Sequence, residues 1–259
     1  MVNALGQLGC KAAFLGSIGN DARGKTFAEN LRKHHATPLL EQNAEPTGVC
    51  CTLLTPDRTK TVLIHLGAAT GLTPGSMENH LLEQPHTVYI EGFLLHNRPF
   101  LNAVLTRSQA CCRQACLDLG QAELVHKNRE FLIKIIKQHV HILFTNEQET
   151  CALCNGTLEE CMRFISELCE IVVVKRGEKG CAIQRGTQCF TLPAEPGSAV
   201  ETTGAGDLFA AGFLYALNMG LPLDKCGQIG NILGCAATQA PGGAIAPAEW
   251  CRIKRKMTT

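Results

Sequence analysis

The segment ETTGAGDLFAAGF, residues 201–213, places an aspartate after three small residues, at the start of an apolar stretch with helical spacing. The first turn of a helix carries backbone N–H groups without intrahelical partners and a partial positive charge, so an acid there is often only a cap. The same groups attract phosphate, and glycine lets a ligand approach the backbone closely. Capping explains Asp207 but not Gly204, Ala205 and Gly206 before it. The segment is therefore a candidate anion site with a carboxylate beside it.

Polar residues also follow three apolar runs that are typical of buried strands. The runs are ILFTNEQE with Asn146 and Glu149, VVVKRGEKG with Lys175, Gly177 and Gly180, and YIEGF with Glu91. An amide and a carboxylate at one strand end can organise hydrated Mg²⁺, and a glycine turn at the next can admit a nucleotide phosphate. Each cluster alone is equally compatible with an ordinary strand-end loop, with Asn146 or Thr145 capping the next helix.

Strands and helices alternate along the chain. The predicted strands are 12–18, 47–55, 60–66, 87–93, 116–119, 140–146, 170–177 and 181–186. The predicted helices are 22–35, 98–115, 127–138 and 157–168, with further helices dominating from residue 206 onward. Strands 47–55 and 60–66 flank the turn PDR and predict a hairpin. The alternation predicts an α/β fold with a mostly parallel sheet, helices on both faces, and ligands beyond the carboxyl ends of the strands.

Length and charge exclude several classes of protein. The chain has 259 residues and a formal net charge of +1, which favours one α/β domain with an appendage and no nucleic-acid partner. No apolar stretch is long enough to span a membrane, and the N-terminus lacks the features of a signal peptide, so we expect a cytoplasmic protein. The 15 cysteines lie mostly in apolar segments and are expected to be reduced core residues. The pair Cys151 and Cys154 has no second pair at zinc spacing, so we expect no metal or redox role there.

A P-loop is the competing interpretation of an earlier segment. Residues 19–26, GNDARGKT, match G-x-x-x-x-G-K-[ST] between a predicted strand and a predicted helix. Asp21 would place a carboxylate inside the phosphate cradle, and only the two end glycines relax the loop. No later apolar strand is predicted to end in an aspartate that holds Mg²⁺, as such enzymes need. These observations disfavour a P-loop NTPase.

The segment 201–213 closely resembles the D-T-x-G-A-G-D signature of the ribokinase/PfkB family of carbohydrate and nucleoside kinases. GSIGNDARG (16–24) is similar to that family's G-x-V-G-x-D-x-x-G, NEQE (146–149) to its N-x-x-E, and KRGEKG (175–180) to its glycine turn around the nucleotide. GNILGCAATQAPGG (230–243) is similar to the helix and loop on the adenine side. The resemblance extends over almost the whole chain, with the motifs in the family's order.

The resemblance implies a ribokinase-like fold, in which residues 1–259 form a single kinase domain with a small β lid within about residues 36–70. Asp207 would be the base that takes the proton from the acceptor hydroxyl. Gly204, Ala205 and Gly206 would donate backbone N–H bonds to the charge on the γ-phosphate of ATP.

The resemblance also implies the binding residues. Asn146 and Glu149 would order Mg²⁺, with Glu149 acting through water. The other ATP-binding residues would be Lys175, Gly177, Gly180, Asn231 and Gly243. The acceptor would meet Glu91, Gly67 and Asp207. A monovalent cation such as K⁺ would lie near Glu201, Thr203 and the 242–246 loop, although Glu201 replaces the family's usual Asp.

The acceptor can be ranked from the same resemblance. Several stretches are most similar to the bacterial adenosine kinase-like branch, so adenosine is the first choice and ribose or a related sugar the second. The family's G-G-x-x-x-N segment, which grips the acceptor, would fall before Met1. The alternatives are therefore a longer natural chain or a truncated, catalytically weak nucleotide-binding remnant. The lid strands would also form a homodimer contact.

Overall fold

The structure is a computed structural model that describes residues 1–55, 60–78, 87–111, 114–243 and 245–257. The chain divides into two compact units, residues 2–81 and residues 82–259 with Met1. Each unit is described by itself. The predicted turn PDR lies outside the described residues.

The smaller unit contains short sheets and helices. Its elements are α1 (Val2–Gln7), β1 (Ala12–Gly19), α2 (Ala22–Lys33), β2 (Ala36–Asn43), β3 (Val49–Leu54), β4 (Lys60–His65), a 3₁₀ turn (Gly67–Gly71) and α3 (Pro74–Glu78). β1 and β2 form a parallel pair, and β3 and β4 form a separate antiparallel pair in which Val49 faces His65. The predicted hairpin is therefore confirmed.

The hairpin leaves apolar side chains in solvent. Leu53, Leu63 and Ile64 are 50%, 56% and 59% exposed, because two strands alone cover neither face of their own sheet. Cys50 and Cys51 on β3 are exposed for the same reason.

The larger unit carries the main sheet. Its first elements are β5 (Thr87–Glu91), a 3₁₀ turn (Gly92–His96), α4 (Arg98–Cys111), β6 (Gln114–Asp118), α5 (Ala122–Lys127), α6 (Arg129–His139), β7 (Ile142–Asn146) and α7 (Glu147–Cys154). It continues with α8 (Leu158–Ser166), β8 (Ile171–Lys175), a 3₁₀ turn (Gly177–Lys179), β9 (Cys181–Arg185) and β10 (Gln188–Leu192). The C-terminal elements are α9 (Ala205–Asn218), α10 (Leu223–Thr238), a 3₁₀ turn (Pro241–Gly243) and α11 (Pro247–Met257).

The main sheet has the order β10-β9-β8-β7-β6-β5. Strands β5 to β8 are parallel, whereas β9 and β10 are antiparallel to their neighbours. The central strands are apolar on both faces: Ile142, Leu143 and Phe144 of β7 are fully buried. Helices on both faces explain this pattern, as predicted for a parallel sheet.

Aromatic contacts attach α9 to the sheet. Phe144 on β7 lies 5.8 Å from the ring of Tyr89 on β5 and 5.4 Å from the ring of Phe213 on α9. Gly212 packs α9 tightly on α10, because a Cβ there would lie 2.7 Å from the carbonyl oxygen of Ile229. The position of α9 is therefore fixed by core packing on two sides.

Three of the sequence-based expectations need correction. The predicted helix 98–115 ends at Cys111, and the next strand begins at Gln114. That strand ends in Asp118, so the expectation that no apolar strand ends in an aspartate was wrong. The cysteines are not mostly core residues: among the 13 whose side chains the structure describes, five are buried and five are exposed, and all are free.

No helix in the described part of the chain is both long and apolar enough to cross a membrane.

Candidate active site

The parallel register brings polar strand ends to one edge of the main sheet. Glu91, the last residue of β5, lies opposite Asp118, the last residue of β6. Asn146 at the end of β7 lies opposite Lys175 at the end of β8. The carboxyl ends of neighbouring parallel strands meet at the same edge, so these four side chains gather where ligands bind in open α/β sheets.

Asp118 is the central residue of this edge, although no motif in the sequence pointed to it. Its Oδ2 accepts hydrogen bonds from Lys175 Nζ at 2.6 Å and from the Tyr89 hydroxyl at 2.7 Å. Its other oxygen, Oδ1, is buried with no hydrogen-bond partner among the described residues. An aspartate at the end of an apolar strand is a feature that the sequence contains. The apolar pattern, however, predicts a strand that continues to residue 119, which places Asp118 inside the strand and not at its end.

The start of α9 lies against the Lys175 side chain. A Cβ at Gly206 would lie 3.2 Å from Lys175 Nζ, so the glycine leaves room for the ammonium group. Gly204 precedes the helix with a φ of +76°, a left-handed conformation that favours glycine. The N-terminus of α9 and a fixed cation therefore lie side by side, and both favour a bound anion.

Asp207 lies in the first turn of α9 but is not its cap, because the residue before the helix is Gly204. Burial, and after it the charges of Asp207 and Asp118, raises the pKa of the Glu91 carboxyl to about 7. Burial also raises the pKa of the Tyr89 hydroxyl well above its usual value, with the charges of Asp118 and Glu91 adding to the effect. The carboxylates of Glu91 and Asp207 thus share one electrostatic environment.

Asn146 and Glu149 form a capping box at the start of α7. The Asn146 side chain accepts a bond from the Glu149 amide at 2.9 Å, and Glu149 accepts bonds from the Asn146 amide at 2.9 Å and Nδ2 at 2.7 Å. Glu149 is 2% exposed, and burial raises the pKa of its carboxyl while the Lys175 charge lowers it. The capping interpretation of Asn146 is therefore confirmed, and Thr145 is not the cap.

The oxygen atoms available at this edge fit a hydrated magnesium ion. A carboxylate has about four acceptor positions, and the two Glu149 bonds to Asn146 leave others for bound water. Among the described residues, no three His, Cys, Asp or Glu side chains are grouped closely enough to hold a metal directly. Mg²⁺ commonly keeps its waters and takes one or two carboxylates together with substrate phosphates, so Glu149 would hold it through water.

The glycine turn after β8 has the conformations that glycine permits. Gly177 and Gly180 have φ angles of +56° and +84°. A Cβ at Gly180 would lie 2.0 Å from the Leu192 carbonyl oxygen, whereas a Cβ at Gly177 would meet no atom within 4 Å. Gly180 therefore serves chain packing, and Gly177 leaves open space beside the strand end.

The loop before α9 is tied to the 3₁₀ turn after α10. Glu201 accepts hydrogen bonds from the Thr203 amide at 3.0 Å and from the Gly242 amide at 2.9 Å. A Cβ at Gly243 would lie 2.4 Å from the Thr203 carbonyl oxygen and 3.3 Å from Gly204 Cα. The structure thus brings together Glu201, Thr203 and part of the predicted 242–246 loop; Ala244 lies outside the described residues.

Asn231 lies on α10 and is 9% exposed. Its Nδ2 donates to the Pro193 carbonyl at 2.8 Å, which ties α10 to the segment after β10. Gly67, the predicted acceptor residue of the smaller unit, has a φ of +48°, and a Cβ there would lie 2.2 Å from the Pro46 carbonyl oxygen.

The P-loop interpretation fails on geometry within the smaller unit. The Asp21 carboxylate caps α2 by accepting a bond from the Gly24 amide at 2.8 Å, and it also accepts bonds from the Thr47 amide and hydroxyl. These bonds lower the pKa of Asp21 to about 2. The protein's own carboxylate therefore occupies the helix start where a P-loop binds phosphate.

Comparison with known proteins identifies the family. The family described as pfkB family carbohydrate kinase matches residues 1–251. The chain is 24% identical over 250 residues to an uncharacterized sugar kinase of Archaeoglobus fulgidus, covering 92% of this chain and 95% of that protein. It is 25% identical over 252 residues to the adenosine kinase of Saccharomyces cerevisiae, covering 90% of this chain and 73% of that protein.

The fold agrees with these relatives. The crystal structure of adenosine kinase from Sinorhizobium meliloti matches with a TM-score of 0.91 at 25% identity, over 98% of this chain and 80% of that one. The predicted ribokinase-like α/β fold is confirmed, and the chain belongs to the pfkB family of carbohydrate and nucleoside kinases.

Proposed function

We propose that this kinase transfers the γ-phosphoryl group of ATP to a hydroxyl of a nucleoside, with adenosine preferred. The observation that carries the proposal is the start of α9, where the Asp207 carboxylate, the helix N-terminus and the Lys175 ammonium meet the carboxyl edge of the sheet. A base, an anion site and a cation are the groups that phosphoryl transfer to an alcohol requires.

At the start of α9, the Asp207 side chain and the backbone N–H groups have separate tasks in this proposal. Asp207 takes the proton of the acceptor hydroxyl as the new P–O bond forms. Gly204 and Gly206 direct backbone N–H groups at the phosphoryl oxygens, where they stabilise developing charge without reorganisation. The Ala205 amide, expected to do the same, instead donates to the Thr202 carbonyl at 3.2 Å. An alcohol keeps its proton until bond formation is advanced, so a carboxylate of ordinary basicity is sufficient.

The neighbouring strand ends hold the nucleotide. Gly177, Asn231 and Gly243 line the ATP site in this proposal, and Gly180 shapes the turn that carries Gly177. Asn146 and Glu149 order Mg²⁺ through its waters. The metal, when bound, neutralises phosphate charge. Glu201 and Thr203 are the proposed ligands of a monovalent cation such as K⁺. Glu201 already accepts hydrogen bonds from the Thr203 amide and from the Gly242 amide in the 3₁₀ turn after α10.

The acceptor is proposed from resemblance as well as from the edge residues. The charge of Asp207 acts on the Glu91 carboxyl, and Glu91 is the proposed acceptor contact on the main sheet. The named adenosine kinases among the similar proteins favour adenosine. A ribose or related sugar is the alternative, favoured by the sugar kinase relative.

We also propose that the exposed hairpin β3–β4 forms a homodimer contact. Its apolar residues Leu53, Leu63 and Ile64 are at least half exposed. Such a surface is a recognised site of association.

The experiment that tests the function is a phosphoryl-transfer assay on the purified chain. It uses ATP and Mg²⁺ with adenosine, other nucleosides, ribose and fructose, and measures ADP production. We expect the largest kcat/KM with adenosine. A higher kcat/KM with ribose would favour the sugar kinase alternative, and ATP binding without turnover on any acceptor would favour the non-catalytic alternative.

A further inference from the structure

Asp118 is a buried carboxylate to which the proposed mechanism assigns no task. It is 4% exposed and follows the buried residues Cys116 and Leu117 on β6. Burying a charge costs free energy unless it is paired, and an apolar pair of similar volume is often at least as stable. The Asp118–Lys175 pair is therefore weak evidence for a purely stabilising role.

The contacts of Asp118 are concentrated on one oxygen. Oδ2 accepts bonds from Lys175 Nζ and from the Tyr89 hydroxyl, while Oδ1 is buried without a partner in the described part of the chain. The Tyr89 bond fixes the orientation of the carboxylate on the neighbouring strand. Asp118 is therefore held rigidly, and it holds Lys175 in turn.

Lys175 ends against the first turn of α9. The built Cβ position at Gly206 lies 3.2 Å from Nζ and 3.7 Å from Cδ, so the lysine passes along the helix start. An ammonium group has three donors, and Asp118 takes one of them. Among the described residues, Nζ has no other hydrogen-bond partner, which leaves the other two donors for oxygen atoms of a ligand at the same place.

Without Asp118, the ammonium would have other carboxylates to pair with. Its charge already acts on Glu91 and on Glu149, lowering the pKa of both carboxyls against the effect of burial. Ordering a free lysine side chain costs conformational entropy. A fixed carboxylate avoids that cost during the reaction and keeps the cation from pairing with Glu91 or Glu149 instead.

We infer that Asp118, oriented by Tyr89, is a positioning residue that holds the Lys175 ammonium at the start of α9, where it binds the γ-phosphate of ATP. This inference rests on the proposed function, which places the phosphoryl group at that helix start. Lys175 is then the group that contacts the phosphate, and Asp118 acts only through it.

A double-mutant cycle tests the inference. We expect Lys175→Met to lower kcat by about 10²-fold, which is typical for loss of one preorganised charge donor. Asp118→Asn keeps the shape of the side chain but loses its charge, and we expect kcat to fall by about 10-fold with little change in the KM for the acceptor. The double variant should be no slower than Lys175→Met, because both changes act through the same interaction between Lys175 and the phosphate.

The matched control is Glu170→Gln, which breaks the Arg185–Glu170 ion pair on the exposed side of the same unit. We expect its kcat to equal that of the unmodified protein. If Asp118→Asn and Lys175→Met multiply their losses, or if kcat in Asp118→Asn is unchanged, the positioning role is contradicted.

A binding measurement gives a second readout that does not need turnover. Calorimetry with ATP and with ADP, both with Mg²⁺, isolates the contribution of the γ-phosphate. We expect the unmodified protein to prefer ATP, and both Lys175→Met and Asp118→Asn to lose most of that preference while their ADP affinity is kept. A merely structural Asp118 would weaken both nucleotides alike.

The two hypotheses fail in different ways. If the unmodified chain binds neither ATP nor ADP, the proposed function fails and the inference fails with it. If the chain phosphorylates an acceptor but Lys175→Met and Asp118→Asn keep the ATP preference, only the inference is overturned.

Discussion

At the scale of single residues, Glu91 is a buried carboxyl group that keeps its proton up to about pH 7. Burial and the charge of Asp207 raise the Glu91 pKa from its ordinary value of 4.5 to about 7. The folded protein then binds a proton that the unfolded chain has already released between these two values. Stability associated with this group is fully present below pH 4.5 and is lost as the pH rises through 7.

We therefore expect Glu91→Gln to change the pH dependence of stability. Relative to the unmodified protein, the variant should lose less free energy of unfolding between pH 4.5 and 7 and should melt at a higher temperature at about pH 8. Thermal unfolding across roughly pH 4 to 8 measures the effect. The exposed Glu159→Gln is the control and should follow the unmodified curve; equal slopes for Glu91→Gln would contradict the account.

The types and spacing of residues in the sequence identified the start of α9 as part of the site, but they did not identify Asp118 at its centre. Asp207 and its glycines were recognisable because an acid that only caps a helix does not need three small residues before it. Asp118 and Tyr89 were not, since each lies in an apolar run, where a single polar residue carries no periodic signal. Their pairing depends on the register of β5, β6 and β8, which the sequence of any one strand does not specify.

At the scale of elements, α7 shows how one feature serves the fold and, in our proposal, the site. The Asn146–Glu149 capping box has a close counterpart at the start of α8, where Thr157 and Glu160 form the same arrangement. The second box is exposed and has no proposed ligand. The two helices therefore allow capping to be separated from metal binding.

We expect Asn146→Ala and Thr157→Ala each to lower stability by about 1 kcal/mol, the usual effect of losing a cap. Only Asn146→Ala should also weaken Mg²⁺-dependent ATP binding, because Glu149 loses the partner that orients it. Chemical denaturation and calorimetry with and without Mg²⁺ measure the two effects. Identical ATP affinity in both variants would mean that Asn146 is a cap and nothing more.

Elements with strong apolar patterns were predicted within a few residues, and weakly patterned ones were missed. β7 and β8 are continuous apolar runs that only a sheet covered on both faces accommodates. β2 contains Pro38 and polar residues, which argue against a strand, yet it forms by pairing with β1. β10 is five residues long and mostly exposed, and α5 has six residues, so neither carries enough pattern to be recognised.

At the scale of the whole molecule, the hairpin β3–β4 carries several exposed apolar side chains within the described part of the smaller unit. Leu53 and Leu63 lie on one face of the β3–β4 sheet, since Cys51 pairs with Leu63 and residues two apart share a face. Apolar side chains at these positions favour association of two copies through the hairpin.

We expect the unmodified protein to be a dimer by light scattering and the double variant Leu53→Lys, Leu63→Lys to be a monomer, because charged groups disfavour burial in a contact. Met219 is 64% exposed and lies in the other unit, so Met219→Lys is the matched control and should remain dimeric. A monomeric unmodified protein, or a dimer that survives the double substitution, would contradict the proposed contact.

Asp207 is the proposed base of a phosphoryl transfer at the start of α9, and the Asp207→Asn variant tests this role most directly. Turnover with ATP and adenosine should fall by roughly 10² to 10⁴ because proton transfer is lost, while the Kd for ATP stays nearly unchanged. Asp224 lies in the first turn of the next helix, so Asp224→Asn is the control and should keep full turnover. An Asp207→Asn variant as active as the unmodified protein would contradict the mechanism.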